Sequence, residues 1–326
     1  MQTKVQTVGE IIGQKRNWIE MHEPYDRVGR LPNFQYVVEG TGGALVPLST
    51  GVEEVNRLPQ LTFEQRSLNQ LLQRVEYPNK LYDRLPKQLN ILNLNWLIQN
   101  GAYDKEVLFR IYDEHKVRAL MSSKFQPLDD LELLELVAPY CNEGVVRWWA
   151  DNELATHVSV SFPNYGVEIR KGDVVEHGIH ISNSEVGARS VVIASYVYRL
   201  RCLNGQIGGG DEDFFRFRHI GNKNRFQQAV SSAVESAMLG AFRITAQFQD
   251  ALKKQIDKPF ELIESISKNE NLTVEQYKAT LDAYLNEGGG TLFDVSQSFS
   301  TAAHNFDGDE SFALQRVAVR SLSEVV

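Results

Sequence analysis

Cysteine is nearly absent from this chain: Cys141 and Cys202 are the only two in 326 residues. They lie far apart and form no CxxC, which speaks against a disulfide framework or a cysteine zinc site and for a reducing compartment. Long apolar runs are also missing, and none approaches the roughly 20 residues that cross a bilayer. The stretch from Met1 to Arg16 lacks the apolar core of a secretion signal. No membrane partner is expected, and the expected location is cytoplasmic. Positive charge is in deficit, with 34 Lys and Arg against 42 Asp and Glu and a net charge of -8, so a protein that coats nucleic acid is disfavoured, although a local basic face can exist on an acidic chain. Enzyme signatures are lacking too. Glycines at Gly205 and Gly208-Gly209-Gly210 follow a strand pattern, but no Gly-Lys-Ser/Thr comes after them and the next residues are acidic, which repels phosphate. No HExxH and no GxSxG is present. No catalytic residue, metal or cofactor is implied, and an enzyme is the less favoured class.

What is present suits a folded protein. Hydrophobic residues make up 42% and charged residues 23%, near the average for globular chains, and the length suggests two domains. Residues 1–60 mix glycines and prolines with short alternating pieces such as Phe34 to Glu39, the pattern of an arm with small strands. Residues 61–150 read as a helical module with a hairpin. Thr62 and Gln65 have capping-box spacing before a leucine-rich helix, Leu89, Leu92, Trp96 and Leu97 share a face of another, and strands at Val107–Tyr112 and Val117–Phe125 form the hairpin. Leu128 to Tyr140 has leucines at helical spacing.

Residues 151–260 carry alternating segments at 155–162, 167–170, 174–182, 190–203 and 214–220, separated by turn signals that include Asn204-Gly205, a pair suited to a two-residue hairpin turn. A long helix from about Asn224 to Ile256 follows, with Phe226, Val230, Ala233, Ala237, Ala241, Ile244, Phe248 and Leu252 along one stripe. Residues 261–326 are helical. The fold class expected is α+β: a central antiparallel meander packed by a long helix, with helical modules at the N- and C-terminal sides.

Four ordered blocks carry a resemblance. They are Val117 to Ser122 followed by Phe125 to Asp130, Gly178 to Gly187, Tyr198 to Gly205, and Arg218 to Gly221. On these the chain resembles the phage and plasmid-like proteins known as domain of unknown function 932, over roughly residues 60 to 320. The resemblance implies a mobile-element protein at work in a bacterial cytoplasm and brings no settled activity with it. The meander with its long helix also looks like the core of Rad-type single-strand annealing proteins, in which such protomers form rings around single-stranded DNA.

Between Arg189 and Arg225 the cations are Arg189, Arg199, Arg201, Arg216, Arg218, Lys223 and Arg225. With a period of two, Arg189, Arg199 and Arg201 share one strand face and Arg216 and Arg218 share one on a neighbour, so a guanidinium patch forms if those faces adjoin. Phe214 offers a stacking platform beside Arg216, and His219 is a further phosphate contact. The competing explanation pairs these arginines with acidic neighbours and places the aromatics in the core. Trp148-Trp149 reads as a core or interface element or a stacking site. The Asn183-Ser184-Glu185-Val186-Gly187 turn reads as a backbone-bonded turn, and His177 and His180, three apart on a strand, face opposite sides. The function expected is noncatalytic binding of single-stranded nucleic acid in phage or plasmid DNA metabolism, with annealing or recombination as its sharper form, by a homo-oligomer. Alternatives are a structural or host-interaction protein without nucleic acid, and a metal-dependent nuclease or hydrolase assembled from Asp173, Glu176 and Glu185.

Overall fold

Alternating and helical spacings resolve, in the computed structural model, into two compact units: residues up to Gly13 with Leu128 onward, and Gln14–Pro127. The structure describes residues 7–39, 42–48, 60–101, 103, 105–208, 214–221 and 223–323. Units drawn this way differ from the four segments with breaks at 60, 150 and 260, because the first helix, α1 (Val8–His22), contributes Val8, Ile11 and Ile12 to the core of the later residues.

The Gln14–Pro127 unit contains β1 (Tyr25–Arg30), β2 (Phe34–Glu39), β3 (Gly42–Pro47), β4 (Leu61–Phe63), α2 (Gln65–Arg74), α3 (Asn79–Tyr82), α4 (Lys87–Asn100), β5 (Glu106–Tyr112) and β6 (Lys116–Ser122). Its strands form one sheet in the order β1-β5-β6-β4-β3-β2. The β5–β6 hairpin is antiparallel, as expected. The capping box at Thr62 does not form. Thr62 belongs to β4, its N–H donates to the His115 carbonyl, and the strand pairs parallel with β6, so Glu64 becomes the N-cap without a side-chain bond.

A second difference concerns α4. Leu89, Leu92 and Trp96 do share a face, but it is exposed, with Leu92 at 67% and Trp96 at 63%, while Asn90, Leu94 and Ile98 are buried. Amide side chains set this rotation. Asn90 accepts from Tyr77 Oη and donates to the Tyr82 carbonyl, both at 2.7 Å, and Asn95 clamps the Tyr36 backbone at N (2.7 Å) and O (2.9 Å). Buried polar groups that find partners cost little, so Asn90 and Asn95 dock this helix together with Leu94 and Ile98.

The other unit holds α5 (Asp130–Val137), β7 (Val145–Asp151), β8 (Thr156–Arg170), β9 (Asp173–Asn183), β10 (Val191–Arg199), β11 (Asn204–Ile207), β12 (Phe214–Phe217), α6 (Lys223–Ala251), α7 (Pro259–Asn269), α8 (Val274–Glu287), α9 (Leu292–Ala302) and α10 (Gly308–Ser321). The fold class is α+β, with an antiparallel meander in the order β11-β10-β9-β8-β7. The segments expected at 155–162 and 167–170 are one strand, β8, whose pairing with β9 shifts register between Ser161 and Gly166. β9 takes one edge of β10, and β11 and β12 divide the other, at Tyr196–Arg199 and Val191–Ala194.

Asn204-Gly205 does not turn the chain. Residues 200–203 do, with Leu203 at φ 56, and Asn204 and Gly205 open β11. Asn204 Nδ2 donates to Thr301 Oγ1 at 2.6 Å. Gly205 allows the Tyr196 ring to lie where a side chain would stand: a Cβ there would meet Tyr196 Oη at 2.3 Å.

The two faces of β10 pack against different layers. Val191 and Ile193 meet Phe226 and Val230 of α6, and Val197 meets Ala241, Ile244 and Phe248. The long helix thus covers one face with the expected stripe. Val192, Ala194, Tyr196 and Tyr198 lie on the other face with Ile207 and Phe312 of α10. Strand alternation forces this division, and it decides where each arginine points.

Candidate functional site

Strand parity separates the arginines that a single patch would need together. Arg199 has the parity of Val197, whereas Arg216 pairs with Val192, so the two point to opposite faces of the sheet. Arg199 is 5% exposed; its Nε and Nη2 donate to Asp173 at 2.8 and 2.6 Å, and it lies 5.0 Å over the Phe293 ring. Burial alone would raise the Asp173 pKa, yet Arg199 and then Arg170 hold it below the usual carboxylate range. Arg199 is therefore a structural ion-pair residue and leaves the site.

Arg201 is exposed in the 200–203 turn, beyond the Arg199 end of β10. Arg218 is exposed just past Phe217, at the Val191 end. At about 3.3 Å per residue, eight steps along β10 separate those ends by roughly 26 Å, so Arg201 does not adjoin the others. His219 is buried at 5% and offers no surface contact. Arg225 is exposed in the first turn of α6, and the Lys223 side chain lies outside the described set.

What the fold does assemble is a ladder of alternating cations and rings. Arg216 lies 5.3 Å from the Phe214 ring centroid and Arg316 lies 4.4 Å from it; Arg316 is also 5.7 Å from Phe312, and Arg189 is 5.1 Å from Phe312. The order is Arg216, Phe214, Arg316, Phe312, Arg189. Cation–π contacts of this kind hold guanidinium planes in place. Phe214 is thus occupied by two arginines of its own chain and is not an open stacking platform. Arg189 is 21% exposed and pairs with Asp309, in the first turn of α10.

Beneath Phe312 runs a buried chain of polar groups. Ser159 Oγ and His180 Nδ1 are 2.9 Å apart, His180 Nε2 and His157 Nδ1 3.5 Å, and His157 Nε2 and Asp309 Oδ1 2.9 Å. Ser159, His157 and His180 are wholly buried. The pair is boxed between Trp148, at 5.3 and 5.8 Å, and Phe312, at 5.1 and 5.0 Å.

Burial lowers the pKa of His157, opposed by its bond to Asp309 and reinforced by Arg189; burial lowers His180 further, with His157, Arg189 and Arg316 adding to it. The His157 bond is the main influence that keeps Asp309 ionised. Two neutral imidazoles ending on a carboxylate can bond in only one sense. Ser159 donates to His180, His180 to His157, and His157 to Asp309.

Other polar motifs serve the scaffold. Asn183 Nδ2 donates to the Leu128 carbonyl and to Asp130 Oδ1, both at 2.8 Å; Glu185 Oε1 accepts the Asp130 N–H at 2.7 Å at the start of α5; Ser184 Oγ donates to the Leu154 carbonyl at 2.6 Å. The Asn183–Gly187 turn is a clamp on α5. His177 reaches Thr245 on α6, and His180 points to the other face. Asp173, Glu176 and Glu185 do not converge: Glu176 receives Ser161 and Arg147, Asp173 receives Arg199 and Arg170, and Glu185 receives the α5 backbone. Among the described residues, no group of three His, Cys, Asp or Glu is placed to hold a metal ion. No helix among them is long and apolar enough to cross a membrane.

Sequence reasoning missed Arg316, Phe312 and Asp309, because they lie about a hundred residues from the other members. Their spacing places 309, 312 and 316 on one face of α10, but the helix also carries Glu310, Gln315 and Arg320, so that acid, ring and base do not stand out in the sequence. In comparisons with known proteins, the chain matches no family model, no curated protein and no solved structure.

Proposed function

We propose that this protein binds single-stranded nucleic acid without catalysing a reaction on it, and that phosphates are met by the Arg216–Arg316–Arg189 ladder. The observation that carries this reading is three guanidiniums held on two phenylalanine rings at one end of the sheet. Planar guanidiniums recognise phosphate oxygens in pairs. Arg218, exposed two residues beyond Arg216, extends the same basic lip, whereas Arg225 belongs to the long helix on the other face of the sheet. Since Phe214 is already stacked, contact runs through phosphate more than base, and binding is indifferent to sequence and steep in salt. The likeness of four sequence blocks to mobile-element proteins fits a role in phage or plasmid DNA metabolism, with annealing as its sharper form.

The test is a titration of a fluorescent single-stranded oligonucleotide across ionic strength. Each phosphate contact on a single strand contributes about -0.7 to the slope of log K against log salt. R216A and R316A together are therefore expected to flatten the slope by roughly 1.4. No binding at low salt, or binding that these substitutions leave untouched, overturns the proposal.

A second reading has its own observation. Leu89, Leu92 and Trp96 form an exposed apolar stripe on α4, a helix whose sequence after Lys87 carries no charge. Interface centres are depleted of charge and enriched in tryptophan. That favours a protein–protein contact, whether with a second copy or a host protein. Nuclease-insensitive capture of one defined protein, with no oligonucleotide binding, would favour this reading.

A further inference from the structure

Two donors converge on one atom. Arg189 Nη2 forms an ion pair with Asp309 Oδ1, and His157 Nε2 bonds the same oxygen at 2.9 Å. Arg189 Nε is buried and has no hydrogen-bond partner, so its guanidinium keeps an unused donor next to the one it gives to Asp309. Asp309 is 37% exposed, which gives solvent protons a way to reach it. A ligand phosphate that takes over Arg189 therefore leaves Asp309 to His157 alone.

We propose that Asp309 is a shared counter-ion that couples capture of a nucleic-acid phosphate by Arg189 to uptake of one proton by His157. The inference rests on the nucleic-acid reading above. The charges facing the histidine pair are Asp309 and Arg316 from α10 and Arg189 from the loop before β10, while β7 presents only the Trp148 ring. Of these, Arg189 opposes a proton on His157 and Asp309 favours one. Binding neutralises the first and frees the second, so both changes raise the affinity of His157 for a proton.

The buried chain can take that proton with three bonds kept, the one unpaired donor becoming the neutral Ser159 hydroxyl. In the free protein every bond runs toward Asp309. With His157 protonated, its Nε2–H still donates to Asp309 and its new Nδ1–H donates to His180 Nε2. His180 then carries its own proton on Nδ1 and donates to Ser159 Oγ. One proton is added in net, the His180 proton changes from Nε2 to Nδ1, and three bonds remain, while the Ser159 O–H gives up the acceptor it had on His180. A lone buried histidine would have to leave its second N–H unpaired, at the cost of an unsatisfied buried donor. His180 and Ser159 move the unpaired donor from a charged imidazolium to a neutral hydroxyl, where it costs less.

Linkage sets the sign. If binding takes up a proton, lower pH strengthens binding, by at most about tenfold per pH unit for one linked proton. The experiment is calorimetric titration of the full chain with a single-stranded oligothymidylate, whose thymines carry no group that titrates near pH 6, in two buffers of different ionisation enthalpy at about pH 6. The expected result is a buffer-dependent enthalpy corresponding to uptake of up to one proton, which disappears in H157Q. D309N, which removes the shared oxygen, is expected to lose the proton uptake as well and serves if H157Q does not fold. Binding with equal enthalpy in both buffers, or uptake that persists in both variants, overturns the coupling and leaves the nucleic-acid reading standing. Absence of binding at low salt at every pH overturns the nucleic-acid reading itself, and the coupling with it.

Discussion

Arg199 and Asp173 form a two-point ion pair, Nε to Oδ1 at 2.8 Å and Nη2 to Oδ2 at 2.6 Å, at the buried end of β10. An arginine in a basic sequence segment thereby becomes part of the interior. Removing one partner of a buried pair strands the other, which costs about 3 to 5 kcal/mol. R199M is expected to lower stability by up to that amount in urea unfolding, since Arg170 still pairs with Asp173 at 2.9 Å. A double variant, R199M with D173N, should recover part of the loss because no charge is left buried. R199M unfolding at the wild-type midpoint would refute the assignment.

The buried histidines predict a pH dependence with a defined window. Burial depresses the pKa of His157 and His180, so the unfolded chain, whose histidines titrate near 6.5, binds protons that the fold does not. Stability from this source is complete above about pH 6.5 and is lost as pH falls through the folded values. Each histidine contributes a slope of up to about 1.4 kcal/mol per pH unit. Asp173 and Asp309, also depressed, act in a separate window near and below about pH 4. Urea midpoints should decline between roughly pH 6.5 and 5. A flat or rising midpoint there would be incompatible with neutral, buried imidazoles.

On α4, the exposed and buried faces make opposite predictions. L94A removes a wholly buried side chain and is expected to cost about 2 to 5 kcal/mol. W96S and L92S change mostly exposed groups and should stay within about 0.5 kcal/mol of wild type. Thermal unfolding of the three variants distinguishes the faces; the reverse ranking would mean that the Leu89–Leu92–Trp96 stripe is the core face.

These cases show what the sequence disclosed and what it withheld. The meander and the α6 stripe were legible because each follows one local period, two for a strand and 3.6 for a helix. The α4 face was misread because apolar residues compose the exposed stripe while amide bonds from Asn90 and Asn95 hold the docked side, and apolarity alone does not register a satisfied amide. Arg199 and Arg216 seemed to share a patch, yet a face is fixed only once register is known, and β12 pairs with the opposite parity of β10. Arg316 and Asp309 reach the site by tertiary packing, which no local pattern encodes. His157 and His180 meet because β8 and β9 are paired in register, Ser159 opposite His180 and His157 opposite Ser182.

Gly178 and Gly205, glycines of the resemblance blocks, both sit in strands where another chain segment passes close. A Cβ on Gly178 would lie 2.0 Å from the Val160 carbonyl oxygen and 2.8 Å from the Ser161 Cα, whereas the atoms nearest one on Gly205 are the Tyr196 hydroxyl and two of its ring carbons, at 2.3 to 2.8 Å. Backbone in the middle of a sheet cannot give way without breaking its ladder. A side chain can shift, although Tyr196 is itself buried among Val192, Ala194 and Ile207. G205A is therefore expected to cost about 1 to 3 kcal/mol, the range for overpacking, and G178A more than G205A. Y196F should not rescue G205A, because two ring carbons as well as the hydroxyl crowd the new methyl; Y196L, which removes the ring, should recover more of the loss. Rescue by Y196F equal to that by Y196L would show that the hydroxyl alone sets the requirement for glycine at 205.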